Sequence, residues 1–469
     1  MKARISTLPL LVCLVSPFSL MGGPVPEAPD RVIEDIEQRL VDLIADSDAA
    51  QYKTVGSLPD DRSFTVGEYP ALVDFLVGSP GDLQPVIEDV PDASGSSFIG
   101  LWFLSQAHRI LGQIDLFDTA PLRQAIRVQI ERADLLPQFF QGTSEDVWEC
   151  PPETMGWYPL IDGYRLPSLL PDRLEALLPG SVKKDLANLS DGDIWAWSMA
   201  IDDTTPGILQ YHHPITSADI YAPLLGSRQD WDSIDPQSRL LYRQVWGPPT
   251  NSRFPIGTFY CTSDQSQQRF SGVVMANILS SIPLLAEVSD VYATDIDNAV
   301  SFVRDAARLA LRQEQSWQQF AYDYYTIPVA PIAYVARAHK RIIEIGRAAY
   351  PRLLDDDTIA EAVRYITQQT EQKLANPNLY TEAGAQDYAS LVYCFSAMVN
   401  LRHTDPTLFD KDLLDRTMNA LLVSNPASYT VPGTGPYSIA GQIWADMASI
   451  CFVVPPLIEA FALYLQIEV

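Results

Sequence analysis

Between Arg253 and Val469 four segments are apolar nearly all round: Ser271 to Ile282, Ile327 to Arg337, Tyr388 to Val399 and Ile443 to Val454. They begin roughly 55 residues apart, an interval that suits a helical-hairpin repeat. Between them run segments with a single apolar stripe. In the first, Ile296, Ala299, Val300, Val303, Ala306, Ala307 and Ala310 recur at helical spacing, leaving Arg304, Asp305 and Arg308 to face water. A second stripe, Ile359, Ala362, Val363 and Ile366, is opened by a capping box at Thr358-Ile-Ala-Glu361. Leu413, Leu414, Thr417, Met418 and Leu421 form a third. A helix apolar all round must be buried on every side, whereas a striped one lies at a surface. Their alternation predicts an all-α fold with almost no sheet: an α/α toroid, an inner ring of buried helices inside an outer amphipathic ring.

Upstream, Arg31 to Ile44 is a clear amphipathic helix, and Ser96–Leu111 with Thr119–Leu136 reads as an inner and outer pair of the same kind. From Gln141 to Arg253 the composition shifts to Pro, Gly, Asp and Trp, a long loop-rich insertion. The start, Met1-Lys-Ala-Arg4 followed by apolar Leu8 to Leu20, has the n-region and h-region of a secretory leader. Pro9, Pro17 and the short apolar length argue against a membrane span there. The expected organisation is a signal peptide over 1–22, an N-terminal helical segment over 23–95 and a toroid domain over 96–469, in which 141–252 is the insertion. The protein is expected to be exported, to the periplasm or the outside of the cell.

A formal charge of −27 makes nucleic acid an improbable partner, because phosphate binding needs basic surface. Most of these carboxylates are expected to be solvated. Cys394 and Cys451 sit in apolar segments as small core residues, while Cys150 and Cys261 lie in loop-like stretches that can pair in an oxidising compartment. No Cys or His spacing calls for zinc, and no cofactor is expected.

The densest polar–aromatic cluster is Asp193 to Thr205. Adjacent Asp202 and Asp203 oppose each other's ionisation, which raises one pKa and makes a proton donor. Trp195 and Trp197 offer ring faces to a cation or a sugar. The same Asp and Thr residues before Pro206-Gly207 also suit an ordinary turn. His212, His213 and Asp219 have metal-ligating chemistry but equally suit plain surface. Asp264 precedes the first apolar segment, Tyr324 and Tyr325 the second and Asp387 the third, while Trp444 and Asp446 begin the fourth. In a toroid these junctions gather at one mouth of the ring, delivering carboxylates and aromatics to a concave site. The alternative is that they brace helix ends. Asp355-Asp-Asp357, at the start of an amphipathic helix, is explained by the helix dipole.

Phe270-Ser-Gly-Val-Val-Met-Ala-Asn-Ile-Leu279 and Tyr324 to Ala338 make the second half resemble the squalene-cyclase and prenyltransferase-like toroid superfamily, over about 200 residues. That resemblance implies proton-initiated chemistry on an isoprenoid or other apolar ligand in a central cavity. The chain departs from the family's acidic motifs. Ile201-Asp-Asp-Thr-Thr205 has Ile where the leading Asp belongs, and Asp295-Ile-Asp-Asn298 ends in Asn. Secreted toroids that cleave polysaccharides resemble this architecture too, and two carboxylates would serve a neutral-glycan hydrolase. A third class is a non-catalytic toroid that binds a ligand. The expected partner is therefore a small molecule or a glycan, with no nucleic acid and no stable membrane span.

Overall fold

The computed structural model describes residues 29–57, 63–64, 66–79, 82–92, 96–133, 231, 236–249, 259–260, 268–269, 272–281, 293–312, 327–345, 352–440 and 443–468. These are mostly helical, as the hydrophobic pattern predicts. The helices are α1 (Pro29–Ala50), α2 (Ser96–Leu111), α3 (Ala120–Arg132), α4 (Pro236–Trp246), α5 (Gly272–Ser281), α6 (Ala293–Arg312), α7 (Ala330–Ile345), α8 (Asp356–Leu374), α9 (Ala385–Thr404), α10 (Lys411–Leu422) and α11 (Val454–Glu468).

They pack in two rows. In the buried row α5, α7, α9, α11 and α2 each lie on the next. In the outer row the neighbours run α4, α6, α8, α10, α1 and α3. The first helix thus stands beside the last, since α1 packs on α11 and falls between α10 and α3. The rows follow from the sequence. Every residue of α9 from Tyr388 to Arg402 is buried, while α8 buries only the stripe Thr358, Ile359, Ala362, Tyr365, Ile366 and Thr370. In α11, Leu457, Ile458, Phe461, Leu463 and Leu465 are almost wholly buried, each contributing about 1.5–3 kcal/mol. The stretch Ile450–Ile467 is long and apolar enough to cross a membrane, yet 89% of it is buried against the rest of the protein.

The fourth apolar segment corrects the expectation of a helix there. Ile443–Ser449 is a strand, followed by a 3-10 turn over Ile450–Phe452, and α11 begins only at Val454. Pro455 and Pro456 explain this. A proline is tolerated in the first helical turn, where no backbone N–H is needed, but blocks a helix that runs through it. Four strands make one antiparallel sheet: β1 (Ala71–Ser79), β2 (Asp82–Asp92), β3 (Pro432–Ala440) and β4 (Ile443–Ser449), in the order β2-β1-β4-β3. The segment 23–95 is accordingly helical only as far as Ala50 among its described residues. Its two long strands join the hairpin at 432–449, so chain regions far apart in sequence share a sheet. Ala71, Val73, Met447 and Ser449 are buried on one face of that sheet.

The start of α8 is also corrected by three residues. Its N-cap is Asp355, whose carboxylate accepts from the Thr358 backbone N–H at 3.0 Å and from the Thr358 hydroxyl at 2.7 Å. Arg308 of α6 donates to the same carboxylate, which lies well below the ordinary range because these donors outweigh its desolvation. The box expected at Thr358 is the third helical position, not the cap.

Candidate functional site

Of the residues singled out in the sequence, Asp202, Asp203, Trp195, Trp197, Asp264, Tyr324 and Tyr325 lie outside the described residues. So do His212, His213, Asp219, Cys150 and Cys261. Asp387 sits in the first turn of α9. Lys373 Nζ lies 2.8 Å from its Oδ1, and Asn376 Nδ2 donates to its Oδ2 at 2.7 Å. Both oxygens therefore fasten the start of α9 to the end of α8, which makes Asp387 a brace between helix ends. Trp444 and Asp446 are on β4 rather than at a helix start. Cys394 and Cys451 are buried free thiols.

Asp446 is the predicted residue whose surroundings suit chemistry. Antiparallel pairing of β1 with β4 sets Asp446 directly opposite Asp74. Opposed residues in such a ladder have Cβ atoms about 4.5–5.5 Å apart, so the two carboxyls share one small volume. Successive side chains alternate between faces. Val73 and Met447 point into the core, and the acids point to the other face, which they share with Leu72, Leu76 and Ala448. Asp446 is half-buried, and its Oδ1 is buried with no hydrogen-bond partner. Burial first, and then the charge of Asp74, push its pKa up to about 7. Near neutral pH a sizeable share of Asp446 therefore keeps its proton, which acid catalysis requires of a donor.

Asp74 was missed in the sequence. Its signal is a lone acid in the apolar run Leu72-Val-Asp-Phe-Leu-Val77, which is bounded by Pro70 and Gly78. A short apolar run between such breakers has the form of a strand, and an acid inside it is a candidate for chemistry.

Around Arg337 the buried row is packed with side chains. Arg337 of α7 forms a bidentate pair with Glu459 of α11, both contacts 2.7 Å, at 4% and 2% exposure. Its guanidinium also stacks 3.6 Å from the ring centre of Trp102 on α2. Phe103, Tyr334 and Tyr393 complete the layer, with ring centres 5.7 and 6.0 Å apart in that order. Among the described residues no three His, Cys, Asp or Glu side chains are placed to hold a metal ion. Comparisons with protein-family models, with curated proteins and with solved structures find no match.

Proposed function

We propose that this chain is an acid–base enzyme of the terpene-cyclase-like toroid class, in which Asp446 donates a proton to an apolar ligand such as an isoprenoid. The supporting observation is the Asp74–Asp446 pair, with the buried, unbonded Oδ1 of Asp446 on a face that also carries Leu72, Leu76 and Ala448. Protonating an alkene needs a neutral, desolvated carboxylic acid, and a second carboxylate beside it holds the proton there until substrate arrives. The toroid reading is supported by the alternation of buried and outer helices and by the return of α1 to the outer row beside α11. Export of the mature chain is part of the same reading, resting on the leader-like start.

A neutral-glycan hydrolase is the second reading, favoured by the closeness of the two acids. Retaining hydrolases hold their carboxyls about 5–5.5 Å apart, within reach of an opposed strand pair. The test is incubation of the native protein and of Asp446→Asn with a linear polyene in D2O, and separately with neutral oligosaccharides. Native protein is expected to put deuterium into a rearranged polyene, with a hundredfold or greater loss in the variant. Cleaved sugar in place of this would select the second reading. Equal product from native and variant would reject Asp446 as the donor.

A further inference from the structure

The outer row leaves a furrow between its last two members. α1 and α3 lie side by side and run the same way: at their C-terminal ends Asp48 pairs with Arg132 at 2.8 Å, and Ser47 donates to Gln129 at 2.8 Å. Both helices turn one apolar stripe inward, through Ile36, Leu40 and Leu43 on α1 and Ile126 and Ile130 on α3. A second apolar strip on each faces the furrow. Val41, Ile44 and Ala45 of α1 and Leu122, Ala125 and Val128 of α3 line a groove of about 540 Å³. Val41 is 43% exposed and Val128 39%. Isolated exposed valines are ordinary, but these two look into the same groove from opposite walls. From Leu122 to Arg132 the groove runs about 15 Å at 1.5 Å per residue, the length of roughly three helical turns.

The charge around this groove is one-sided. One end is closed by the Asp48–Arg132 pair. Toward the other end Glu37 and Glu34 continue the groove face of α1, one and two turns before Val41. Asp118 stands just ahead of α3, its carboxylate accepting from the Ala120 backbone N–H at 3.1 Å. Over residues 31–50, α1 exposes Glu34, Asp35, Asp42 and Asp46 against one base, Arg31. The arginines of α3 do not offset this. Arg127 pairs with Glu131 at 2.6 Å, Arg132 with Asp48, and Arg123 lies over Gly112 on the far side of the helix.

We propose that this groove docks a cationic amphipathic helix of a partner protein, whose apolar stripe fills the strip between Val41 and Val128 and whose Lys or Arg residues reach Glu34, Glu37 and Asp118. Recognition of a helix in a groove uses apolar anchors at i, i+3 or i+4 and i+7, which three turns supply. The net charge of −27 draws such a partner in and disfavours a second copy of this chain as the occupant. The groove shares no residue with the Asp74–Asp446 face, so it stands or falls independently of the proton-donor function.

Fluorescence anisotropy tests this with a labelled synthetic peptide, Leu on one helical face and Lys on the other, added to the full chain at physiological ionic strength. A peptide of the same composition in scrambled order, without an apolar face, runs in parallel. The patterned peptide is expected to saturate, and the scrambled one to bind about tenfold more weakly or less. Val41→Asn with Val128→Asn keeps the charge and removes the apolar walls, which should weaken the patterned peptide by about tenfold or more. Glu34→Gln with Glu37→Gln should weaken it severalfold and flatten its dependence on salt. The docking site is overturned if the patterned peptide does not saturate, if the scrambled peptide binds as tightly, or if the double Asn variant binds as well as the native chain. Sedimentation of the native chain alone checks the other occupant. A dimer that the double Asn change dissociates would assign the groove to a second copy and overturn the cationic partner.

Discussion

Replacing Asp446 by Asn tests the central pair through stability as well as activity. The carboxyl titrates near 3.8 in an ordinary setting and at about 7 in the folded protein. Between those values the folded chain keeps a proton that the unfolded chain releases. The contribution of this carboxyl to stability is therefore greatest below about pH 4, falls as the pH rises toward 7, and levels off above it. Each pKa unit corresponds to 1.36 kcal/mol, so the full fall is roughly 4 kcal/mol. Partial contact with solvent reduces what is measured to about 1–3 kcal/mol. Asn copies the neutral acid and cannot ionise, so the variant lacks this fall. Urea unfolding at pH 4, 6 and 8 should find the two proteins about equal at pH 4 and the variant more stable at pH 8. Asp74→Asn removes the second cause of the shift, so it should lower the midpoint of the native fall without abolishing it. An Asp446→Asn variant less stable than native at pH 8 would show that the ionised carboxylate has a partner in the fold. That result would refute the donor role.

The buried Arg337–Glu459 pair gives a second prediction: Arg337→Met should cost about 3–5 kcal/mol by stranding Glu459, and a further Glu459→Met should recover most of it in urea midpoints. Asp355→Ala removes the cap of α8 and the carboxylate facing Arg308, which should lower stability by about 1–2 kcal/mol, read as a lower Tm. Gly67 has φ +96, and a Cβ there would stand 2.4 Å from the Ala133 Cα. Gly67→Ala should therefore destabilise by about 2 kcal/mol or more, and a variant as stable as native would disprove the close approach.

Helices were legible because their apolar residues recur with a period that few other arrangements produce. Buried α9 and striped α8 differ in the sequence as they do in the fold. The sheet was illegible for a specific reason. β4 is a short apolar run that continues straight into the apolar α11, and periodicity alone does not separate a buried strand from a buried helix over seven residues. Two signals break the tie. Pro455-Pro456 fixes where a helix can start, and Ser79-Pro-Gly-Asp82 carries a turn dipeptide between the runs that form β1 and β2. Both signals are local, while the pairing they permit spans nearly the whole chain.

That long-range pairing is why half of the candidate site was hidden. Asp446 attracts notice as an acid in an apolar segment. On a helix, however, its neighbours would be residues three and four positions away, none of them the one that matters. Only the strand register brings Asp74 opposite it. The perturbation of Asp446 is thus a property of the fold's topology rather than of its local sequence. Shifting β1 by one residue would send Asp74 into the core and turn Val73 toward Asp446. The register is held against such a slip by Val73 and Met447 on the buried face, and by Ser449, whose hydroxyl donates to the Pro70 carbonyl at 3.0 Å. Residues with no part in proton transfer therefore keep the two acids together, and changes at Val73 or Ser449 should alter the titration of Asp446 without touching it.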